Sequence, residues 1–137
     1  MGLELGYVIF YVEDVASTVQ FFTAAFGLPQ RFVTPQGDYG ELVTGSTTLA
    51  FASLDLASSG VGGARFVTHD PAGPPLAASV TLTTDDVPGA LATAVAAGGT
   101  AVTEPTTTPW GQTVAYLRDP NGILVELATV VAAGPPA

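Results

Sequence analysis

The feature that most restricts how this chain can fold is that it is written twice. Residues 7–27, YVIFYVEDVASTVQFFTAAFG, align without a gap on residues 79–99, SVTLTTDDVPGALATAVAAGG. Tyr7 then falls on Ser79, Asp14 on Asp86, Val15 on Val87 and Gly27 on Gly99. Few identities survive, but a pattern does: strand, aspartate, helix, glycine stop. A repeat of this length means one supersecondary unit used twice.

Each copy opens with a strand. Val8, Phe10 and Val12 alternate with Tyr7, Ile9 and Tyr11, and Val80 and Leu82 alternate with Ser79, Thr81 and Thr83. Alternation sends the two sets to opposite faces of a sheet. Asp14 and Asp86 can each cap a helix by accepting from its orphan backbone N–H groups. Pro88 is tolerable in a first turn, where there is no intrahelical N–H bond to lose. Val15, Val19, Phe22 and Phe26 form one apolar stripe in the first helix. Val87, Leu91 and Val95 are the expected stripe of the second, in an alanine-rich background. Gly27 with Pro29, and Gly98 with Gly99, end the two helices.

Three shorter strands are expected after each helix: 31–34, 39–43 and 48–53, then 100–104, 113–118 and 123–129. Pro35-Gln36-Gly37, Gly45-Ser46 and Asp119-Pro120-Asn121-Gly122 supply the turns. The fold class is therefore α+β: two tandem βαβββ modules forming a curved mixed sheet, helices on its outer face and a ligand-binding trough on the other. As one domain over 1–137, module one spans about 4–54 and module two about 76–131. A Gly/Ser/Pro-rich linker occupies 55–75, and the tail 132–137 is expected to fray.

Composition narrows the partners. Twelve acidic residues face three arginines and no lysine, a net charge of −9. Such a chain lacks the basic patch that nucleic acid or an anionic membrane requires, while a cationic small molecule would be drawn towards it. The bland reading is that acidity only maintains solubility. With no cysteine there is no disulfide or thiolate chemistry. Residues 1–5 show no secretory signal and no run approaches the roughly 18 apolar residues of a membrane span, so a cytoplasmic protein is expected.

The tandem pattern, the opening YVIFYVEDVASTVQFFTAAFGL and the closing PWGQTVAYLRDPNGILVEL together resemble the vicinal oxygen chelate superfamily, the glyoxalase, bleomycin-resistance and dioxygenase group. The likeness spans roughly residues 5–129, and the closing stretch is its most specific part. Metal-dependent members take ligands from the first and last strand of each copy. That resemblance places the four positions on Tyr7, Ala50, Ser79 and Glu126. Only Glu126 is an ordinary ligand; alanine offers no donor, and neutral hydroxyls are poor ones. The expectation is no metal and no cofactor.

The resemblance then implies a metal-free small-molecule-binding protein, a homodimer, sequestering a cationic or aromatic natural product. The expected ligand-binding residues are Tyr7, Tyr11, Ser79, Trp110 and Glu126, with Thr81 on the same wall. The alternative is a lyase, isomerase or dioxygenase using Glu126 as general base or an unusual metal site. Glu126 has a blander reading too, as a carboxylate satisfied by Tyr7, Ser79 or water. Trp110 is a stacking platform or a structural plug. His69, beside Asp70, is an acid or base or simply solvated. Tyr39 and Glu41 lie on a strand beside the trough, with their facing undetermined. Arg118 is expected to make a local ion pair with Asp119.

Overall fold

The computed structural model describes residues 2–131. Met1 and the tail 132–137, including its expected fraying, lie outside the described residues. The chain divides into two compact units, Met1–Thr68 and His69–Ala137, with the boundary inside the expected linker.

The first unit runs β1 (Tyr7–Val12), α1 (Val15–Phe26), β2 (Gln30–Val33), β3 (Tyr39–Leu42), β4 (Thr48–Ser53) and α2 (Leu54–Gly60). Its sheet has the order β1-β4-β3-β2, with β1 parallel to β4 and the other pairings antiparallel. Asp14 caps α1 by accepting from the Ser17 amide at 3.0 Å, and Gly27 closes it at φ 69°. A cap of this type contributes about 1 kcal/mol. Val15, Val19, Phe21 and Phe22 are buried on α1, and the Phe22 ring lies 4.9 Å from that of Phe51 on β4. Each such apolar side chain contributes about 1.5–3 kcal/mol on leaving water.

Gly40 on β3 shows why α1 sits so close. A methyl group there would lie 3.0 Å from Val19 Cγ2 and 3.2 Å from Val15 Cγ1. Gly40 and Phe51 are register partners, so both mark the face under α1. Tyr39, Glu41, Ala50 and Ala52 must then point to the opposite face. Helix α2 was not legible in the Gly/Ser-rich linker. It forms because Ser53 accepts from the Leu56 amide at 3.1 Å and nucleates one short helix.

The second unit runs β5 (Val80–Thr83), α3 (Val87–Ala96), β6 (Thr100–Ala101), β7 (Thr106–Thr107), β8 (Thr113–Arg118) and β9 (Leu124–Ala128). Its sheet has the order β5-β9-β8-β6, and β7 also pairs with β8. The strand expected over 100–104 stops after two residues. The amides of Val102 and Thr103 both reach the Tyr116 carbonyl, and that doubled contact breaks the ladder before β7 resumes it. Ala115, Leu117, Val125 and Leu127 are buried under α3. On α3 the buried residues are Val87 and Ala94, while Val95 is exposed. The expected stripe is thus corrected at its last position: alanine is small enough to seat the helix closely, and valine is left outside.

Candidate functional site

In the second unit the face away from α3 carries Thr81, Tyr116 and Glu126 abreast. Strand registry does this, because Thr81 and Tyr116 are both partners of Glu126 on neighbouring strands. Thr81 Oγ1 donates to Glu126 Oε1 at 2.7 Å, and the Tyr116 hydroxyl donates to Oε2 at 2.8 Å. The half-buried carboxylate is therefore held by two hydroxyls, one on each oxygen. Its hydrogen bond to Glu126, with a smaller effect of burial, raises the Tyr116 pKa, so the phenol stays a proton donor. Ser79 precedes β5, is exposed, and is on the same face as Thr81 by alternation.

Trp110 stands in the turn before β8, 44% exposed. Its Nε1 donates to Gln112 Oε1 at 2.9 Å, and Gln112 Nε2 donates to the Thr129 carbonyl at 2.8 Å. The indole is tethered to the end of β9 with much of its surface in solvent.

In the first unit the face away from α1 carries Tyr7, Tyr11, Tyr39 and Glu41. Tyr7 is 57% exposed, whereas the Tyr11 ring lies 4.9 Å from that of Phe66. Phe66 is a contact that no strand or helix pattern announces. Glu41 is buried, accepts from the Tyr39 hydroxyl at 2.7 Å, and meets Arg31 Nε at 3.4 Å. The register of β2 against β3 slips between Gln30 and Phe32. That bulge re-aims Arg31 towards the carboxylate. Burial, then the hydrogen bond to Glu41, raises the Tyr39 pKa far above the ordinary phenol value. Tyr39 and Glu41, whose facing the sequence left open, both look away from α1.

His69 and Arg118 have structural surroundings. Arg118 makes no ion pair with Asp119 of the kind expected. Its guanidinium donates to the carbonyls of Asp70 at 2.8 Å, Gly73 at 2.6 Å and Gly122 at 2.9 Å. Asp119 is instead buried within its own turn, accepting from the Ile123 amide and the Asn121 side chain, each at 2.7 Å. Burial raises the Asp119 pKa against the opposing effect of these bonds, and burial lowers that of His69.

A family model described as the Glyoxalase/Bleomycin resistance protein/Dioxygenase superfamily matches residues 4–127. The chain belongs to that superfamily. Its fold is similar to a family enzyme from Burkholderia phytofirmans PsJN, at 22% identity and TM-score 0.78, covering 94% of this chain and 100% of that one. It is also similar to lactoylglutathione lyase from Agrobacterium tumefaciens (19%, TM-score 0.71, 99% and 100% covered). TioX from Micromonospora sp. ML1 is a third (20%, TM-score 0.69, 94% and 100% covered). No curated protein sequence matches the chain.

Members of the superfamily that use a divalent ion need several oxygen or imidazole donors converging on it. In the first unit Tyr7 and Ala50 share a sheet face, Tyr7 paired with Thr48 and Ala50 with Ile9. The second carries Ser79 and Glu126, and both oxygens of Glu126 already accept hydroxyl protons. Among the described residues no group of three or more His, Cys, Asp or Glu side chains converges. Tyr7, Ala50, Ser79 and Glu126 as a donor set do not fit a divalent ion. No helix among the described residues is long and apolar enough to cross a membrane.

Proposed function

We propose that this chain is a metal-free small-molecule-binding protein of the glyoxalase/bleomycin-resistance type that sequesters a cationic or aromatic natural product. One observation carries the reading: Glu126 presents a carboxylate fixed by Thr81 and Tyr116 on the sheet face that no helix of its unit covers. Such a group is an anchor for an ammonium or amidinium. Its two bound hydroxyls leave it fewer free lone pairs for abstracting a substrate proton, which disfavours the general-base alternative. Trp110, tethered through Gln112, offers a flat apolar surface to the same ligand. The net charge of −9 steers cations inward at a rate that falls with salt.

The protein acts in the cytoplasm as a homodimer in this reading. Strands β1 and β5 each stand at the edge of their own sheet, and such edges favour pairing.

The experiment is a thermal-shift panel of cationic and aromatic natural products. A true ligand at a hundred times its Kd stabilises by about 2.7 kcal/mol, which raises Tm by roughly 9 °C in a chain of this length. Failure of the whole panel, with ligand in excess, sinks the binding reading. Glu126→Gln then separates the alternatives. It weakens affinity if the carboxylate is a contact and abolishes turnover if it is a base.

A further inference from the structure

Glu41 brings a carboxylate to a place where strand patterning demands none. Its register partner on β4 is Ala50, which is also the partner of Ile9 on β1. In the second unit Glu126 is the partner of both Thr81 and Tyr116. Ala50 therefore stands where Glu126 stands, and Glu41 stands where Tyr116 stands. Yet both units end with a tyrosine hydroxyl donating to a carboxylate on the face away from the main helix, at 2.7 Å for Tyr39–Glu41 and 2.8 Å for Tyr116–Glu126. Repetition of the module cannot copy this pairing, because the residues come from non-equivalent positions.

A buried carboxylate destabilises a fold unless it is paired. Arg31 is the partner and shows how a cation reaches it. The guanidinium arrives from a side chain that is 47% exposed, while that of Glu41 is only 11% exposed. Arg31 therefore lies on the solvent side of the carboxylate and stands between it and water. Phe32 and Tyr39, with ring centroids 5.9 Å apart, supply aromatic walls. The Tyr39 hydroxyl donates to Glu41 Oε2, so its own oxygen remains able to accept from a ligand N–H.

We propose that Glu41, Tyr39 and Phe32 form a second cation-binding subsite, for an aryl-ammonium or amidinium group, with Arg31 as a built-in occupant that the ligand displaces. This subsite rests on the binding-protein reading for its ligand class and is independent of Glu126 for its geometry.

The test is a titration of the full ¹⁵N-labelled chain with benzamidine, with neutral benzamide as control, following backbone amide shifts. Benzamidine, and not benzamide, shifts the amides of residues 40–42 and 48–52. Arg31→Ala tightens that response by about 2- to 5-fold, the strength of a partly exposed ion pair. Glu41→Gln removes it while retaining the fold, because the Tyr39 hydroxyl can still donate to the amide oxygen. If Arg31→Ala leaves the response unchanged or weaker, or Glu41→Gln leaves it intact, Glu41–Arg31 is only a structural pair and the subsite is overturned. Shifts confined to residues 114–118 and 124–128 also overturn it and spare the Glu126 anchor. Shifts confined to residues 40–52 do the reverse.

Discussion

Replacing Arg118 with methionine removes the clamp between the β8–β9 turn and the segment after His69, while keeping most of the apolar stem. Three of its bonds are short: 2.9 Å to Gly122, 2.6 Å to Gly73 and 2.8 Å to Asp70. A fourth, to the Pro71 carbonyl, is 3.4 Å long and counts for little. The carbonyls are partly open to water, so each short bond contributes about 1 kcal/mol net, not the larger value of a buried charged pair. The loss is then about 3 kcal/mol, or a fall in Tm of roughly 10 °C for a chain of this length. Urea denaturation gives the free energy. Hydrogen exchange should also show the Ala72 and Gly73 amides losing protection, because both bond within the clamped turn. Lysine should recover less than half of the loss, since one ammonium cannot fork to three carbonyls. A Tm change below about 2 °C, with protection at Ala72 and Gly73 intact, would refute the clamp.

Gly40→Ala places a methyl 3.0 Å from Val19 Cγ2, and urea midpoints should report a loss of about 1–3 kcal/mol. Burial holds His69 below its ordinary value of 6.5, so the unfolded chain binds the proton more readily. Its contribution to stability is complete above that value and is lost as pH falls through the lowered folded one. His69→Gln should remove this acid-side slope; comparison with the parent cancels Asp119, whose raised pKa acts with the opposite sign. Gln112→Ala frees the indole of the chain's one tryptophan, so fluorescence anisotropy should drop and acrylamide quenching rise. Unchanged anisotropy would mean that the Gln112 tether does not hold the ring.

Much of the architecture was legible because its signals are local. The alternation of Val8, Phe10 and Val12, the caps Asp14 and Asp86, and the stops at Gly27 and Gly98 each follow from a few neighbouring residues. The whole β4 and β8 spans agree with expectation for the same reason. The alanine-rich α3 was ambiguous, since alanine at several angles around a helix leaves no single stripe, and Val95 went to the exposed side. Glu126 could be assigned a face from its apolar neighbours Val125 and Leu127. Glu41, beside Gly40, had no such guide.

What chemistry alone prescribes here is the repeated unit: its strands, its caps and its acidity. Folding adds the partners. Tyr116 and Thr81 reach Glu126 only through strand registry, Arg31 turns to Glu41 only at a bulge, and Phe66 comes to Tyr11 from a segment with no regular period. The reason is physical: periodicity records which face a side chain leaves from, whereas the atom it meets is set by chain closure over many residues.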